Sequence, residues 1–442
     1  MEIIIPRNIS IVLERLEAKG FDAFIVGGCV RDSILGIAPS DYDVTTNASP
    51  EQVISCFDGF RVIETGLKHG TVTVVSDGSN VEITTYRIDG EYLDHRKPEA
   101  VTFTTSLDDD LSRRDFTINA MAYSPKTGLV DKFGGQRDLW EKCIRCVGDP
   151  QKRFNEDALR ILRALRFSAV LDFSVDPQTA AAVHENKGLL ADISAERIRN
   201  ELTKLICGAS PARVMLEYAD VFSFIIPEAA PCIGFNQHSK YHVYDVWEHT
   251  AYAVELSTND PVVRLALLFH DIEKPSCYIT DENGNGHFPG HQEKSAHTAE
   301  SIMKRLRLDN ATVAQVVKLI GCHDLTPVSE RCLVRKIISE LGFDTLSRLC
   351  NVMRGDNLAK KSGSSHRIEQ IDAMESIALD IMKNNECCTL MQLDIDGGDL
   401  IAMGFKGKAV GDVLNRLLEM VMEEKIPNRR STLLEAAKGF GI

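Results

Sequence analysis

Two aspartates at a spacing of two, Asp41 and Asp43, carry the plainest chemistry in this 442-residue chain. On extended backbone, residues i and i+2 face the same way, so the two carboxylates would stand side by side. Hard oxygen donors placed like this suit Mg²⁺. They follow a glycine turn in the stretch IVGGCVRDSILGIAPSDYDV, residues 25–44. Glycines such as Gly28 that open a helix leave backbone N–H groups and the positive dipole end free for an anion such as a triphosphate. A phosphate cradle beside paired carboxylates is what nucleotidyl transfer requires. Metal ions there lower the pKa of the attacking hydroxyl and stabilise the departing pyrophosphate. Each piece alone is ordinary: Gly-Gly turns are common, and Asp-x-Asp is more often a solvated strand edge. Glu82, in the strand-like VEITTYR, is a third carboxylate that either joins the pair or faces solvent.

A second set lies downstream. Arg113-Arg114-Asp115 precedes an apolar, helix-like run in LSRRDFTINAMAY, so Arg114 can reach a triphosphate with its bidentate fork. Over 155–169 (NEDALRILRALRFSA) the spacing predicts one amphipathic helix. Ile161, Leu162 and Leu165 share its apolar face, while Asp157, Arg160, Arg163 and Arg166 step along the other side. Such a ridge is either a solvated face with internal ion pairs or a surface turned to a nucleotide. In the second case the chemistry is selective. Cytosine and adenine both present an amino donor beside a ring-nitrogen acceptor, which an Asp–Arg pair complements. Uracil and guanine reverse the pattern, and each such mismatch costs about 1–3 kcal/mol. Asp157 and Arg160 would thereby choose C and A without a template.

The second half holds a different constellation. His249 sits on an amphipathic helix, followed by His270-Asp271 in LALLFHDIEKP, then His291, His297, His323-Asp324 and Asp356. A lone histidine on an apolar helix is usually a core residue. Imidazoles and carboxylates on neighbouring helices make a divalent-metal site.

The elements that must position these groups follow from pattern and composition. Residues 9–20 read as a helix ending at Gly20, and 22–26 as a strand running into the glycine turn. Ser49-Pro50-Glu51 opens a helix through Cys56, and strands at 70–76 and 81–87 flank a turn at Asp77-Gly78-Ser79. Residues 86–103, with Asp94 and Arg96, read as a charged loop. Ser194-Ala-Glu reads as a helix N-cap, and 412–425 as a helix. Strand-rich sequence in the first part and helical sequence after it give an expected α+β fold class. Domains are expected at 1–140, 141–240, 241–360 and 361–442. Twelve cysteines are scattered, and Cys143-x-x-Cys146 lacks a second pair, so both read as small core residues. The net charge of −14 argues against a generic nucleic-acid binder. Between residues 141 and 170, however, seven basic side chains outnumber four acidic ones, a local patch suited to holding an RNA. No stretch approaches the roughly 20 apolar residues of a membrane span, which points to a cytoplasmic protein.

The glycine turn, Asp41-x-Asp43, Arg113-Arg114-Asp115, Asp131 with Gly134-Gly135, and Glu156-Asp157-x-x-Arg160 together resemble the class II nucleotidyltransferases. This is the superfamily of template-independent RNA polymerases that holds bacterial tRNA CCA-adding enzymes and poly(A) polymerases. The resemblance implies a nucleotidyltransferase head with a mixed β-sheet and helices, followed by an all-α region. It also implies that Gly28 and Arg31 hold the triphosphate and that Asp41 and Asp43 hold Mg²⁺. It places Arg114 on a phosphate or ribose, Asp157 and Arg160 on the base, and Arg163 and Arg166 behind them. It implies tRNA, CTP and ATP as partners, no membrane, and no obligate protein partner. The competing activities are an A-adding or CC-adding partial enzyme and a poly(A) polymerase, although this acidic chain lacks the basic extension typical of the last. The histidine set resembles the HD phosphohydrolase domain. That implies His249, His270, Asp271 and Asp356 as ligands of a second divalent metal, with His291 and His323 on another metal or a substrate phosphate. A metal-dependent phosphohydrolase with an inert head is thus a further alternative. Glu273 departs from the glycine common in HD domains. The C-terminal piece from Leu393 to Gly441 resembles the tail of Gram-positive-type CCA-adding enzymes, with lysines and arginines that either touch tRNA or are solvated.

Overall fold

The computed structural model describes residues 3–90, 101–238, 243–360 and 365–440. The chain divides into two compact units, Met1–Pro227 and Glu228–Ile442. The first is built on a seven-stranded sheet. Strands β1 (Ala23–Val26), β2 (Asp43–Thr46), β3 (Arg61–Gly66), β4 (Thr71–Ser76), β5 (Ser79–Thr85), β8 (Ala122–Ser124) and β9 (Gly128–Val130) lie in the order β3-β4-β5-β2-β1-β8-β9. Between β5 and β8, the short strands β6 (Arg87–Asp89) and β7 (Val101–Phe103) pair with each other, while Asp94 and Arg96 lie outside the described residues. β1 reads AFIV and is buried throughout, which fits its central place between β2 and β8. β2 and β5 run parallel in a register that sets Asp43 opposite Glu82, so the strand pairing itself brings the third carboxylate to the first two. Helix α1 (Arg7–Ala18) buries Ile9, Val12, Leu13 and Leu16, and Gly20 follows it at φ +85°. Helix α2 (Gly28–Ile34) leaves β1 directly, and α3 (Pro50–Cys56) starts on a Ser49/Gln52 capping box.

Two helical expectations need correcting. Arg113 and Arg114 do not open a helix; they follow the end of α4 (Leu107–Ser112), and a single 3₁₀ turn at Thr117–Asn119 leads into β8. Arg113 reaches back to Asp110 with Nε and Nη2, at 3.0 and 2.7 Å, an arrangement favoured at a helix C-terminus. Nor is 155–169 one helix. After α5 (Gly135–Trp140), helix α6 (Pro150–Glu156) stops and α7 (Leu159–Leu171) begins, with Asp157 extended between them at φ −138°, ψ 103°. The Asp157 side chain accepts the Leu159 N–H at 3.1 Å, so local capping competes with helix continuation and wins. Helices α8 (Pro177–Asn186), α9 (Ala195–Ile206), α10 (Pro211–Glu217) and α11 (Ala219–Ile225) complete the unit. Ser194 occupies the N-cap position of α9 but makes no side-chain capping bond.

Among its described residues, the regular structure of the second unit is helical apart from one hairpin of two-residue strands. Its centre is a group of helices: α12 (Val246–Leu256), α13 (Pro261–Phe269), α14 (His291–Arg305), α15 (Asn310–Cys322), α16 (Arg331–Leu341) and α17 (Phe343–Leu358). A separate apolar cluster around Leu400, Leu417 and Leu433 forms the C-terminal core, where the expected helix at 412–425 runs from Lys408 to Met422. Cys143 and Cys146 are both buried free thiols. Among the described residues no helix is long and apolar enough to cross a membrane.

Candidate active site and a second buried cluster

The glycine turn, Arg114 and the carboxylates meet at the end of two interior strands, where β1 ends and β2 begins. Gly27 sits at φ +81°, a backbone angle that favours glycine, and a Cβ there would lie 3.2 Å from Arg114 Nη1, so the turn and the guanidinium approach each other closely. Helix α2 is only two turns long, which leaves much of the anion-holding work to guanidinium groups. Arg114 is well suited to this: it contacts Asp110 at 3.4 Å, while its buried Nε finds no partner among the described residues. Asp43 is the first residue of β2, and Asp41 lies just before the strand; both are exposed. Partial desolvation raises the Asp43 carboxyl, and Asp41 and Glu82 raise it further against the pull of Arg114. Three carboxylates that repel one another in this way fit a divalent cation. They do not converge into a ready-made cage: among the described residues, the groups of three or more donors within 4.8 Å of one another lie elsewhere.

A chain of polar contacts joins this cleft to α7. Arg31 Nη1 donates to Asn119 Oδ1 at 2.7 Å, and Asn119 Nδ2 donates to Asp115 Oδ1 at 3.2 Å. Asp115 Oδ2 in turn accepts from Arg163 Nε and Nη2 at 2.8 and 2.5 Å. Burial is the largest influence on the Asp115 carboxyl and would raise it, but the charge and hydrogen bonds of Arg163, with the Arg160 charge and the Asn119 amide, together outweigh it and hold the group down at about 2. Around the Phe167 ring stand Arg166 at 3.8 Å, Arg31 at 5.0 Å and Arg163 at 5.4 Å. Arg166 also donates to Glu201 at 2.6 Å. Sequence reasoning passed over Asn119 and Phe167. The signal for Asn119 was a lone amide inside an otherwise apolar run.

The expected base-reading pair is less open than the arginine ridge suggested. Arg160 is buried, donating to Glu156 at 2.8 Å and to the backbone oxygens of Arg113 at 3.0 Å and Arg153 at 3.3 Å. Asp157 accepts from Arg197 at 2.8 Å. Asp157 and Arg160 do not bond to each other through their side chains; each is held by the frame around it.

In the second unit the histidines and aspartates do converge. His249, His270, Asp271 and Asp356 form one set of buried donors within 4.8 Å, and Asp271, His291 and His323 form a second that shares the Asp271 carboxylate. His270 Nδ1 donates to Leu267 O at 2.7 Å, His291 Nδ1 to Phe288 O at 2.8 Å and His323 Nδ1 to Ile320 O at 2.7 Å. These bonds fix the tautomer and turn each Nε2 lone pair inward, as metal-binding imidazoles are turned. His270 Nε2 and both Asp271 oxygens make no well-formed hydrogen bond, although they are fully buried. Buried ligand atoms without a well-formed hydrogen bond fit a bound cation better than a plain core, although Lys274 Nζ forms an ion pair with Asp271 Oδ2 at 2.7 Å. Glu273 does not intrude: its carboxylate accepts from Thr298 at 2.7 Å and its N–H reaches Ser295. His297 is exposed and takes no part.

Comparison with known proteins bears on the whole chain. A Poly A polymerase head domain model matches residues 23–145, and a model of a probable RNA- and SrmB-binding site of polymerase A matches 172–233. A third, for a putative tRNA nucleotidyltransferase domain 2, matches 291–437. The CCA-adding enzyme of Lactobacillus delbrueckii subsp. bulgaricus is 47% identical over 425 residues, 96% of this chain and 95% of that protein. The chain belongs to the CCA-adding enzymes. The Pediococcus pentosaceus member of this family is 34% identical across 96% of both chains. The CCA-adding enzyme of Bacillus stearothermophilus, solved in complex with CTP, superposes with a TM-score of 0.72 at 26% identity, covering 99% of this chain and 98% of that one. The α+β class with a mixed sheet followed by helices is thus shared along the full length of a CCA-adding enzyme.

Proposed function

We propose that this CCA-adding enzyme builds the 3′-terminal CCA of tRNA from CTP and ATP, with the chemistry in the cleft at the end of β1. The convergence of Gly27, Arg114 and Asp43 carries the reading, because it puts a phosphate grip against a carboxylate that its neighbours already crowd. Arg31 and Arg114 hold the triphosphate beside the Gly27-Gly28 turn. Asp41 and Asp43, with Glu82 in register, would hold Mg²⁺. Bound there, magnesium lowers the pKa of the tRNA 3′-hydroxyl and neutralises the departing pyrophosphate. Asp157 and Arg160 present an acceptor and a donor to the base edge, each exchanging a protein partner for the nucleotide. Arg163 and Arg166 keep α7 aligned with the phosphate grip. The test is to incubate tRNA lacking its CCA end with each NTP alone and in pairs, and to read product lengths. CTP alone should give two added nucleotides and CTP with ATP three. Addition of A alone would favour an A-adding enzyme, addition stopping at CC a partial one, and a long A tail a poly(A) polymerase.

A second reading concerns the helical unit, favoured by the two donor sets that share Asp271. They would hold one or two divalent cations, which in such a site act as Lewis acids toward a phosphate ester. His249, His270 and Asp356 would ligate one ion, His291 and His323 the other. The test is metal content after desalting, in the intact chain and in Asp356→Asn.

A further inference from the structure

The second donor cluster opens into a cavity of 440 Å³ lined, among others, by Asp271, Asp356, His291, His323, Lys274 and Lys360. Two ammonium groups beside a cation site call for explanation. Lys274 Nζ lies 2.7 Å from Asp271 Oδ2, and Lys360 Nζ lies 2.7 Å from Asp356 Oδ2. Each therefore pairs with a carboxylate that also faces the histidines.

The two lysines are not held alike. Lys274 is buried, donates to Gln237 Oε1 at 3.1 Å, and sits 5.3 Å from the centre of the Phe288 ring. Lys360 stands just beyond the end of α17 with a quarter of its side chain exposed, and among the described residues its ammonium makes one side-chain hydrogen bond, to Asp356. Lys274 is fixed in place, whereas Lys360 can exchange its partner by rotating a flexible stem.

The charge around the cavity makes that exchange conditional. Among the lining carboxylates and lysines, Asp271, Asp324 and Asp356 give −3 and Lys274 and Lys360 +2, a sum of −1, so these groups offer an anion no surplus positive charge. Two dications bring the sum to +3, and the Lys360 ammonium then has less call from Asp356 and more from an incoming anion. A compact tetrahedral dianion matches a lysine point charge placed beside paired cations.

We propose that Lys360 is the residue that grips the ligand of this second site, and that the ligand is a phosphate dianion, either orthophosphate or the terminal phosphate of a monoester. The proposal rests on the reading of the cluster as a divalent-metal site. Selection of monoesters over diesters follows, because a diester has one negative charge and a second bulky arm.

The test uses the full chain carrying Asp43→Asn, so that the head contributes no metal site, loaded with Mn²⁺ and desalted. Paramagnetic broadening of the ³¹P signals of orthophosphate, phenyl phosphate and diphenyl phosphate reports binding next to the ion, and metal analysis reports occupancy. The first two should bind and diphenyl phosphate should not. Adding Lys360→Ala should weaken both by about tenfold with the manganese content unchanged, and Lys360→Arg should restore most of the loss. Broadening of orthophosphate without phenyl phosphate marks an anion subsite, and broadening of both marks a monoester site; either supports the grip. Retained manganese with equal binding in Lys360→Ala overturns the role of Lys360 alone. Diphenyl phosphate binding as tightly as phenyl phosphate overturns the dianion selection. Failure to retain manganese at all overturns the metal reading and this proposal with it.

Discussion

The two acidic clusters of this protein are built in opposite ways. In the first unit Asp41 and Asp43 are exposed, lie just before and at the start of a strand, and among the described residues belong to no group of three donors within 4.8 Å of one another. In the second, buried His249 on α12, the adjacent His270 and Asp271 just after α13, and Asp356 on α17 converge, and the Nδ1 atoms of His270, His291 and His323 are pinned by backbone carbonyls at 2.7–2.8 Å. Mg²⁺ commonly keeps several waters and completes its shell with substrate phosphates, using only one or two protein carboxylates. A site that takes up and releases a metal–triphosphate at every addition is served by an open pair that the substrate finishes. A site holding a resident ion is served by a preformed cage. What looks like an incomplete metal site in the head is therefore the expected form for a transferase.

This contrast can be broken most severely in the second unit. His270→Ala or Asp356→Asn should abolish the metal retained through desalting, measured by elemental analysis, while CTP and ATP incorporation stays within about twofold. Loss of incorporation together with the metal would show that the two sites are not independent. A smaller change is expected for base choice. Arg160→Ala should narrow the preference for CTP and ATP over UTP and GTP by about ten- to a hundredfold, the value of one or two misplaced hydrogen bonds, read from single-nucleotide incorporation rates. Unchanged discrimination would return Arg160 to a purely structural role beside Glu156.

Smaller again is the effect at Asn119. Asn119→Ala should raise the KM for both nucleotides by about tenfold with a lesser fall in kcat, because it loosens Arg31 without removing it. The mildest expectation concerns the frame. The Asp115 carboxyl, held at about 2 against an ordinary 3.8, stabilises the fold above the unfolded value. That contribution is lost as pH falls from near 4 through 2. Asp115→Asn should cost roughly 2 kcal/mol at neutral pH and flatten the acid-unfolding profile over that window.

Much of this arrangement was legible before any coordinates. The glycine turn, the helix from Pro50 to Cys56 and the Asp77-Gly78 turn declare themselves through local backbone chemistry, which sequence carries directly. The histidines were legible as ligand types, and three of them share one further trait the pattern hides, an Nδ1 bond to a carbonyl three residues back. The break at Asp157 was not legible, because apolar periodicity runs across it while the side chain caps the next helix. The Arg160 contacts to the Arg113 and Arg153 backbones join segments up to 47 residues apart and leave no periodic trace. The same holds for the Arg31–Asn119–Asp115–Arg163 path, which tertiary packing alone assembles.

The claim on which the account turns is that the exposed carboxylates beside the glycine turn perform nucleotide addition. Incorporation of labelled CTP and ATP into tRNA lacking its 3′ end, compared between the intact chain and Asp43→Asn at matched folding, tests it most directly. A fall on the order of a thousandfold with nucleotide still bound is the predicted result. Addition of a full CCA end by Asp43→Asn at an undiminished rate would contradict it.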